Sequence, residues 1–147
     1  MASPKGFIVY RIYYGDTIVY VGRTKQPLQS RIHNHFHKSA FTMLLDINYV
    51  SKIEYTMFNT AADMAVAEVY YINKYHSMLN KDDHMKDNLT FDVYILDNMK
   101  WTEFIPVNWD KWKLEYRDVH PTKRKNKYKN KRALEEAEIS IDDIWDT

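Results

Sequence analysis

The run Phe7-Ile8-Val9-Tyr10-Arg11-Ile12-Tyr13-Tyr14-Gly15-Asp16-Thr17-Ile18-Val19-Tyr20-Val21-Gly22-Arg23-Thr24 constrains the fold more than any other part of the chain. Two stretches rich in β-branched and aromatic residues flank Tyr14-Gly15-Asp16. Gly and Asp tolerate the backbone angles of a tight reversal, so the run predicts a β-hairpin. Tyr10 and Tyr20 each end a short apolar strand-like run.

The next segment predicts a helix over about residues 27 to 38, with Pro27 near its first position and Arg31 and His35 four residues apart on one face. Residues 41–45 continue it or form a second short turn. Residues 51–58 alternate apolar and polar, with Ile53, Tyr55 and Met57 on one face, and read as a third strand. Thr60, followed three residues later by Asp63, is a capping signal for a long helix over residues 61–76, closed by Asn80. Met64, Ala65, Tyr71, Ile72 and Tyr75 make its apolar stripe. Strand, strand, helix, strand, helix is an α+β order: a small antiparallel or mixed three-stranded sheet flanked by helices, with a C-terminal extension.

A further strand is expected over residues 90–94. Residues 101–116 carry Trp101, Trp109 and Trp112 without a clear period. His120-Pro121 breaks any helix. Beyond it, Leu134, Ala137, Ile141, Ile144 and Trp145 fall at near-helical spacing in an acidic segment. The expected organisation is a core over residues 1–90, a Trp-rich extension over 91–119 packing on it, and a basic linker with an acidic amphipathic tail over 120–147.

At 147 residues and 45% hydrophobic, the chain has enough apolar surface for a real core. It has no cysteine, which excludes disulfides, thiolate metal sites and a cysteine nucleophile. Nothing resembles a signal peptide or approaches about 18 uninterrupted apolar residues, so no membrane association and a soluble, cytoplasmic location are expected. The net charge of +1 conceals a strong asymmetry. Residues 123–132 hold seven of the 21 basic residues, and residues 133–147 hold six of the 20 acidic ones.

Glu68 sits among Met64, Ala65, Tyr71 and Ile72 at helical spacing, towards the apolar side of its helix. A carboxylate there costs several kcal/mol unless it is paired or metal-bound. The alternative is that it lies at the edge of the stripe and reaches solvent. His33, His35 and His37 alternate, but residues two apart on a helix diverge by about 200°, so three cannot converge on one zinc ion.

Tyr10, Tyr20-Val21-Gly22, Arg31, His35, Glu68 and Asn80, in this order and spacing, resemble the GIY-YIG nuclease superfamily over about residues 7 to 81. Each motif alone is weak; the six positions together are much stronger. The glycine and isoleucine of the first motif are Ile8 and Val9 here, which loosens the signature without touching a group expected to do chemistry. The resemblance implies hydrolysis of DNA phosphodiesters with Mg²⁺ (or Mn²⁺) as cofactor. It implies that Tyr10 activates the water, Tyr20 assists, Arg31 clamps the scissile phosphate, His35 shares proton transfer or binds phosphate, and Glu68 holds the metal ion. A phenol with pKa near 10 is a poor base, so nearby cations must favour its ionised form.

Arg23 and Lys25 follow the second motif and are candidates for the DNA backbone, with surface solvation the alternative. Asn80 is a further candidate contact. Lys123, Arg124, Lys125, Lys127, Lys129, Lys131 and Arg132 form a run that neutralises phosphates without reading bases. The acidic tail is expected to fold back on these cations in the absence of DNA or to dock a protein partner or second copy through Ile141, Ile144 and Trp145. Small stand-alone members of the superfamily resemble phage-encoded or mobile-element nucleases. Two other readings stand beside the DNA endonuclease: a catalytically inactive binding or inhibitor module that kept the fold, and an RNA-directed nuclease, for which no aromatic-and-glycine RNA motif is visible.

Overall fold

The computed structural model describes residues 3–37, 45–77, 79–80 and 89–119. The hairpin is formed by β1 (Phe7–Tyr14) and β2 (Thr17–Thr24), closed by Gly15 and Asp16. Gly15 takes φ of 61°, a left-handed angle that glycine reaches at no steric cost. Helix α1 (Leu28–His37) follows. It starts after Pro27, whose carbonyl accepts from Ser30 and Arg31 at 3.0 and 3.1 Å. A 3₁₀ turn, Ile47–Tyr49, leads into β3 (Val50–Phe58). Of the turn expected over residues 41–45, only Leu45 lies within the described residues, and it is buried.

Thr60 caps α2 (Ala61–Tyr75) by accepting from the Asp63 amide at 3.0 Å, as the spacing predicts. The helix stops at His76, which adopts a left-handed angle of φ 49°.

The described strands form one antiparallel sheet of order β2-β1-β3-β4, with β1 inside. It has four strands where three were expected. The fourth is β4 (Thr102–Glu103), which pairs with Tyr55 and Glu54 of β3. The strand expected over residues 90–94 does not form. That stretch runs alongside α2, whose Tyr70 hydroxyl accepts from the Val93 amide at 3.0 Å, and then coils into α3 (Tyr94–Asp97). Tyr71 donates to the Leu96 carbonyl at 2.8 Å, so the segment is tied to the helix rather than offered to a sheet edge.

Both faces of β1 are covered, and alternation sorts its side chains between two layers. Ile8, Tyr10, Ile12 and Tyr14 pack with Leu28, Ile32 and Phe36 of α1. Val9 packs with Val21 of β2 and with Met64, Ala67 and Tyr71 of α2. The stripe of α2 is rotated from the expected one: Ala67 and Tyr70 are buried, whereas Ala65 is only half-buried. Ile53 is buried and Tyr55 packs against the α1 layer, while Met57, further along β3, is exposed.

The Trp-rich segment packs against this core. Trp101 lies edge-on to Tyr71 at 5.1 Å and receives the Arg11 guanidinium 3.9 Å from its ring centre. Helix α4 (Trp109–Val119) carries Trp112 into the α1 layer, edge-on to the stacked rings of His33 and His37. Gln29 of α1 binds both backbone groups of Val107, at 2.9 and 3.0 Å.

Asn80 holds the free side of β2. Its side-chain oxygen accepts from the Val21 amide at 2.9 Å and its nitrogen donates to the Val21 carbonyl at 2.7 Å. Both groups are buried, so Asn80→Ala leaves a donor and an acceptor unsatisfied at about 1–3 kcal/mol each. Urea unfolding should show a loss of at least about 2 kcal/mol; a loss under about 0.5 kcal/mol would mean that Val21 finds other partners.

Candidate active site

The site is built around Tyr10, which β1 places at the centre of the sheet, entirely buried, with its ring in the α1 layer. Its ladder partner is Gly22. A side chain at Gly22 has no room: a Cβ there would collide with the Tyr10 phenol and come within 2.9 Å of the Tyr20 ring. Tyr20 lies two residues before Gly22, diagonal to Tyr10 on the same face, and the two rings stand 6.2 Å apart. The register shift between Ile12 and Tyr13 leaves Val19 as an extra residue in β2, so Val19 and Tyr20 both enter the α1 layer.

Helix α1 supplies the partners of the Tyr10 hydroxyl. Arg31 and His35 are one turn apart on its inner face. The His35 Nε2 is hydrogen-bonded to the Tyr10 hydroxyl, and the Arg31 Nε donates to the same oxygen at 3.1 Å. The imidazole also lies edge-on to Tyr20 with ring centres 5.0 Å apart. Three of the residues singled out in the sequence therefore meet at one oxygen atom, and the ring of a fourth, Tyr20, lies beside them. His33 and His37, by contrast, stack on each other with centres 3.9 Å apart and face α4, away from His35.

Burial decides the protonation states. It is the main cause that pushes the Tyr10 phenol well above its usual range, and the neighbouring Tyr20 adds to it; Arg31 opposes both. Tyr20 is raised for the same first reason. His35 is lowered to about 3 by burial and by the Arg31 charge. The imidazole is therefore neutral around pH 7, and Tyr10 stands as a neutral phenol rather than a phenolate, the two groups sharing one hydrogen bond. Burial pulls the Arg31 guanidinium down, but its interactions with Tyr10 and Tyr20 outweigh that and raise its pKa.

Glu68 extends from α2 with its side chain 22% exposed, at the edge of the apolar layer. The Arg23 Nε approaches its Oε1 at 3.5 Å. Glu68 lies close enough to raise the pKa of both Tyr10 and Tyr20 through its charge. Among the described residues no three His, Cys, Asp or Glu side chains converge as a ligand cluster. A hard divalent ion, however, is commonly held by one or two carboxylates, with water and substrate phosphate oxygens filling the rest. Glu68 fits that donor set.

Arg23 and Lys25 are both exposed, and Lys25 lies over the Phe7 ring at 5.8 Å. Asn80 is buried with its amide committed to Val21, and Ser77 also donates to its oxygen at 2.5 Å; it positions β2 from inside instead of facing a ligand. The basic run over residues 123–132 and the acidic tail lie outside the described residues. Two participants were not visible as such in the sequence. The Arg23–Glu68 pairing joins two elements far apart in the chain, and the clearance role of Gly22 depends on β1–β2 register. The departures at the first motif have a plain structural use, since Ile8 and Val9 are both fully buried, one in each layer.

The burial of His35 has a measurable cost in acid. Its folded pKa of about 3 lies below the usual 6.5, so the unfolded chain binds more protons between those values. The stability of the neutral, buried imidazole is complete above about pH 6.5 and falls as the pH drops towards 3. Urea unfolding from pH 7 to 4 should show a slope up to about 1.4 kcal/mol per pH unit steeper in wild type than in His35→Gln. Equal slopes would mean that folding does not lower the His35 pKa. For Gly22→Ala, the collision with Tyr10 predicts a loss of about 1–3 kcal/mol in the same assay.

No curated protein and no solved structure matches the chain. A family model described as the GIY-YIG catalytic domain matches residues 6–82, more than half of the chain. The match spans the hairpin, α1, β3 and α2, and contains Tyr10, Tyr20, Arg31, His35 and Glu68. With the antiparallel sheet and its flanking helices, this shows that the chain belongs to the GIY-YIG nuclease superfamily.

Proposed function

We propose that this protein is a metal-dependent endonuclease that hydrolyses DNA phosphodiester bonds, with Tyr10, Tyr20, Arg31, His35 and Glu68 as its catalytic residues and Mg²⁺ (or Mn²⁺) bound to Glu68. The observation that carries the reading is the Tyr10 hydroxyl held between a neutral imidazole and a guanidinium. An imidazole that can exchange a proton on one side and a fixed cation on the other are what general acid–base chemistry at that oxygen calls for.

The protonation states support one direction of proton flow. Tyr10 is protonated at rest, so it works as a relay: its oxygen takes a proton from the attacking water while its own proton passes to His35 Nε2. Burial makes a free phenolate or a free imidazolium costly, and concerted transfer avoids a standing phenolate. The positive charge left on His35 is balanced by the charge gathering on the phosphoryl oxygens, which also neutralises Arg31. That guanidinium is half-buried, and its planar fork suits a non-bridging phosphate oxygen beside Tyr10. The P–O bond to water forms as the bond to the 3′ oxygen breaks. A divalent ion on Glu68 would supply Lewis-acid stabilisation of the phosphate and of the departing oxygen.

The run from Lys123 to Arg132 carries seven cations and would follow the backbone beyond the site without reading bases. A single site of this kind nicks one strand, and cutting both requires a second copy or a second encounter. The family match is compatible with a protein of phage or mobile-element origin acting inside a host cell. Among the described residues, no helix is long and apolar enough to cross a membrane.

Supercoiled plasmid incubated with purified protein tests the reading. Wild type with Mg²⁺ or Mn²⁺ should nick or linearise it, and EDTA should stop the reaction. Glu68→Ala and Arg31→Ala should each lose at least about 100-fold in rate, as expected when a charge acting on the transition state is removed. Tyr10→Phe should lose a similar factor while staying folded, because it removes only the relay oxygen. Binding of DNA without cleavage by wild type under any divalent ion would replace this proposal with the inactive binding module. Cleavage of RNA in preference to DNA would change the substrate and leave the site assignment intact.

A further inference from the structure

The pairing of Arg23 with Glu68 has no role in the relay and joins an exposed cation to the carboxylate that holds the metal. Strand alternation accounts for the encounter: Tyr20 and Gly22 face Tyr10, and Arg23, one residue on, stands on the opposite side of β2, over α2. The Nε approaches to 3.5 Å, with the arginine side chain 47% exposed. That is a weak, half-solvated pairing, of the kind usually worth under about 1 kcal/mol.

We propose that Arg23 is a stand-in cation for Glu68: it neutralises the carboxylate in the DNA-free, metal-free protein and is displaced by the divalent ion, which frees its guanidinium for a phosphate of the incoming DNA. The inference rests on the assignment of Glu68 as the metal ligand. Three features support it. A carboxylate at the edge of an apolar layer is costly to leave uncompensated, and Arg23 lowers that cost without closing the site. A directly coordinated divalent ion carries twice the charge and approaches to about 2.1 Å, so it outcompetes a guanidinium at 3.5 Å for the same oxygen. Finally, a released arginine stays beside the same carboxylate's ion, where the substrate phosphate must also sit, and its planar fork suits a phosphate. Metal and arginine thus exchange places on one oxygen, and the ion prepares its own phosphate clamp.

The consequence is opposite in sign for the two ligands. Arg23→Gln should bind divalent ions more tightly in the absence of DNA, and DNA less tightly in their presence. The worth of an exposed pair sets the first effect at about 2- to 5-fold. The second should lower the salt dependence of DNA binding by about one phosphate contact.

The experiment is a Mn²⁺ titration of the DNA-free full-length protein into the millimolar range, following the free-ion EPR signal, for wild type, Arg23→Gln and Glu68→Gln. Fluorescence anisotropy of a labelled duplex in Ca²⁺ over a series of salt concentrations is run beside it, and circular dichroism confirms that each variant is folded. Tighter Mn²⁺ uptake by Arg23→Gln, with none by Glu68→Gln and a reduced salt slope for DNA, is the expected result. If Glu68→Gln abolishes uptake but Arg23→Gln binds Mn²⁺ as wild type does, or more weakly, the exchange is refuted and Glu68 keeps its metal role. If all three proteins behave alike, uptake or none, the metal assignment of Glu68 fails and the exchange falls with it.

Discussion

The whole site depends on burying one phenol without blocking its oxygen. Tyr10 lies in an inner strand of the sheet, fully enclosed, and its hydroxyl must still find polar partners. Gly22 makes the space, because the ladder brings that residue directly opposite and any Cβ there would strike the phenol. Helix α1 then fills the surroundings with Ile32 and Phe36 for packing and with Arg31 and His35 for the oxygen. The packing of β1 on α1 and the polar surroundings of the Tyr10 hydroxyl are thus one arrangement. A change that loosens the core there moves the hydroxyl and its partners with it.

The same burial sets the electrostatics. In water, tyrosine and histidine at neutral pH would exchange protons with solvent independently. Enclosed beside Arg31, both are driven to their neutral forms, the phenol upwards and the imidazole down to about 3. With both groups neutral, the arginine is the one charge beside the Tyr10 hydroxyl among the three residues that meet there. The expectation that nearby cations would hold Tyr10 ionised is therefore replaced by one in which it stays a neutral phenol. Arg31 favours the phenolate, but desolvation is the larger effect.

Residues 91–119 show how a small sheet gains cover. The α1 layer and the α2 layer each receive tryptophan from this segment, Trp112 on one side and Trp101 on the other. Trp101 also shields the ion pair of Arg11 with Glu54, at 2.7 Å, in a ring of aromatic groups that includes Tyr13 and Tyr75. The segment lacks a readable period because its tryptophans serve two different faces, so no single helix or strand repeat connects them. The short β4 completes the sheet by pairing Thr102 and Glu103 with β3.

The hairpin, α1, β3 and α2 were legible from residue order, because their signals are local. Gly15 in the turn, Pro27 before α1, Thr60 with Asp63 at α2, and the alternation within β1 each act over a few residues. The family motif was legible for the same reason, since Tyr10, Tyr20, Arg31 and His35 all lie on the first hairpin and the helix that follows it. What only the tertiary structure decided are pairings between distant segments. Residues 90–94 look like a strand, but the hydroxyls of Tyr70 and Tyr71 claim the backbone at and just beyond their end. Asn80 looks like a surface contact, yet its amide completes the free side of Val21. Arg23 and Glu68 share no sequence signal at all and meet because β2 lies on α2. Local propensity is carried by each residue and its near neighbours; hydrogen-bond partners and protonation states depend on which distant groups exclude water from them, and that exists only once the chain has folded.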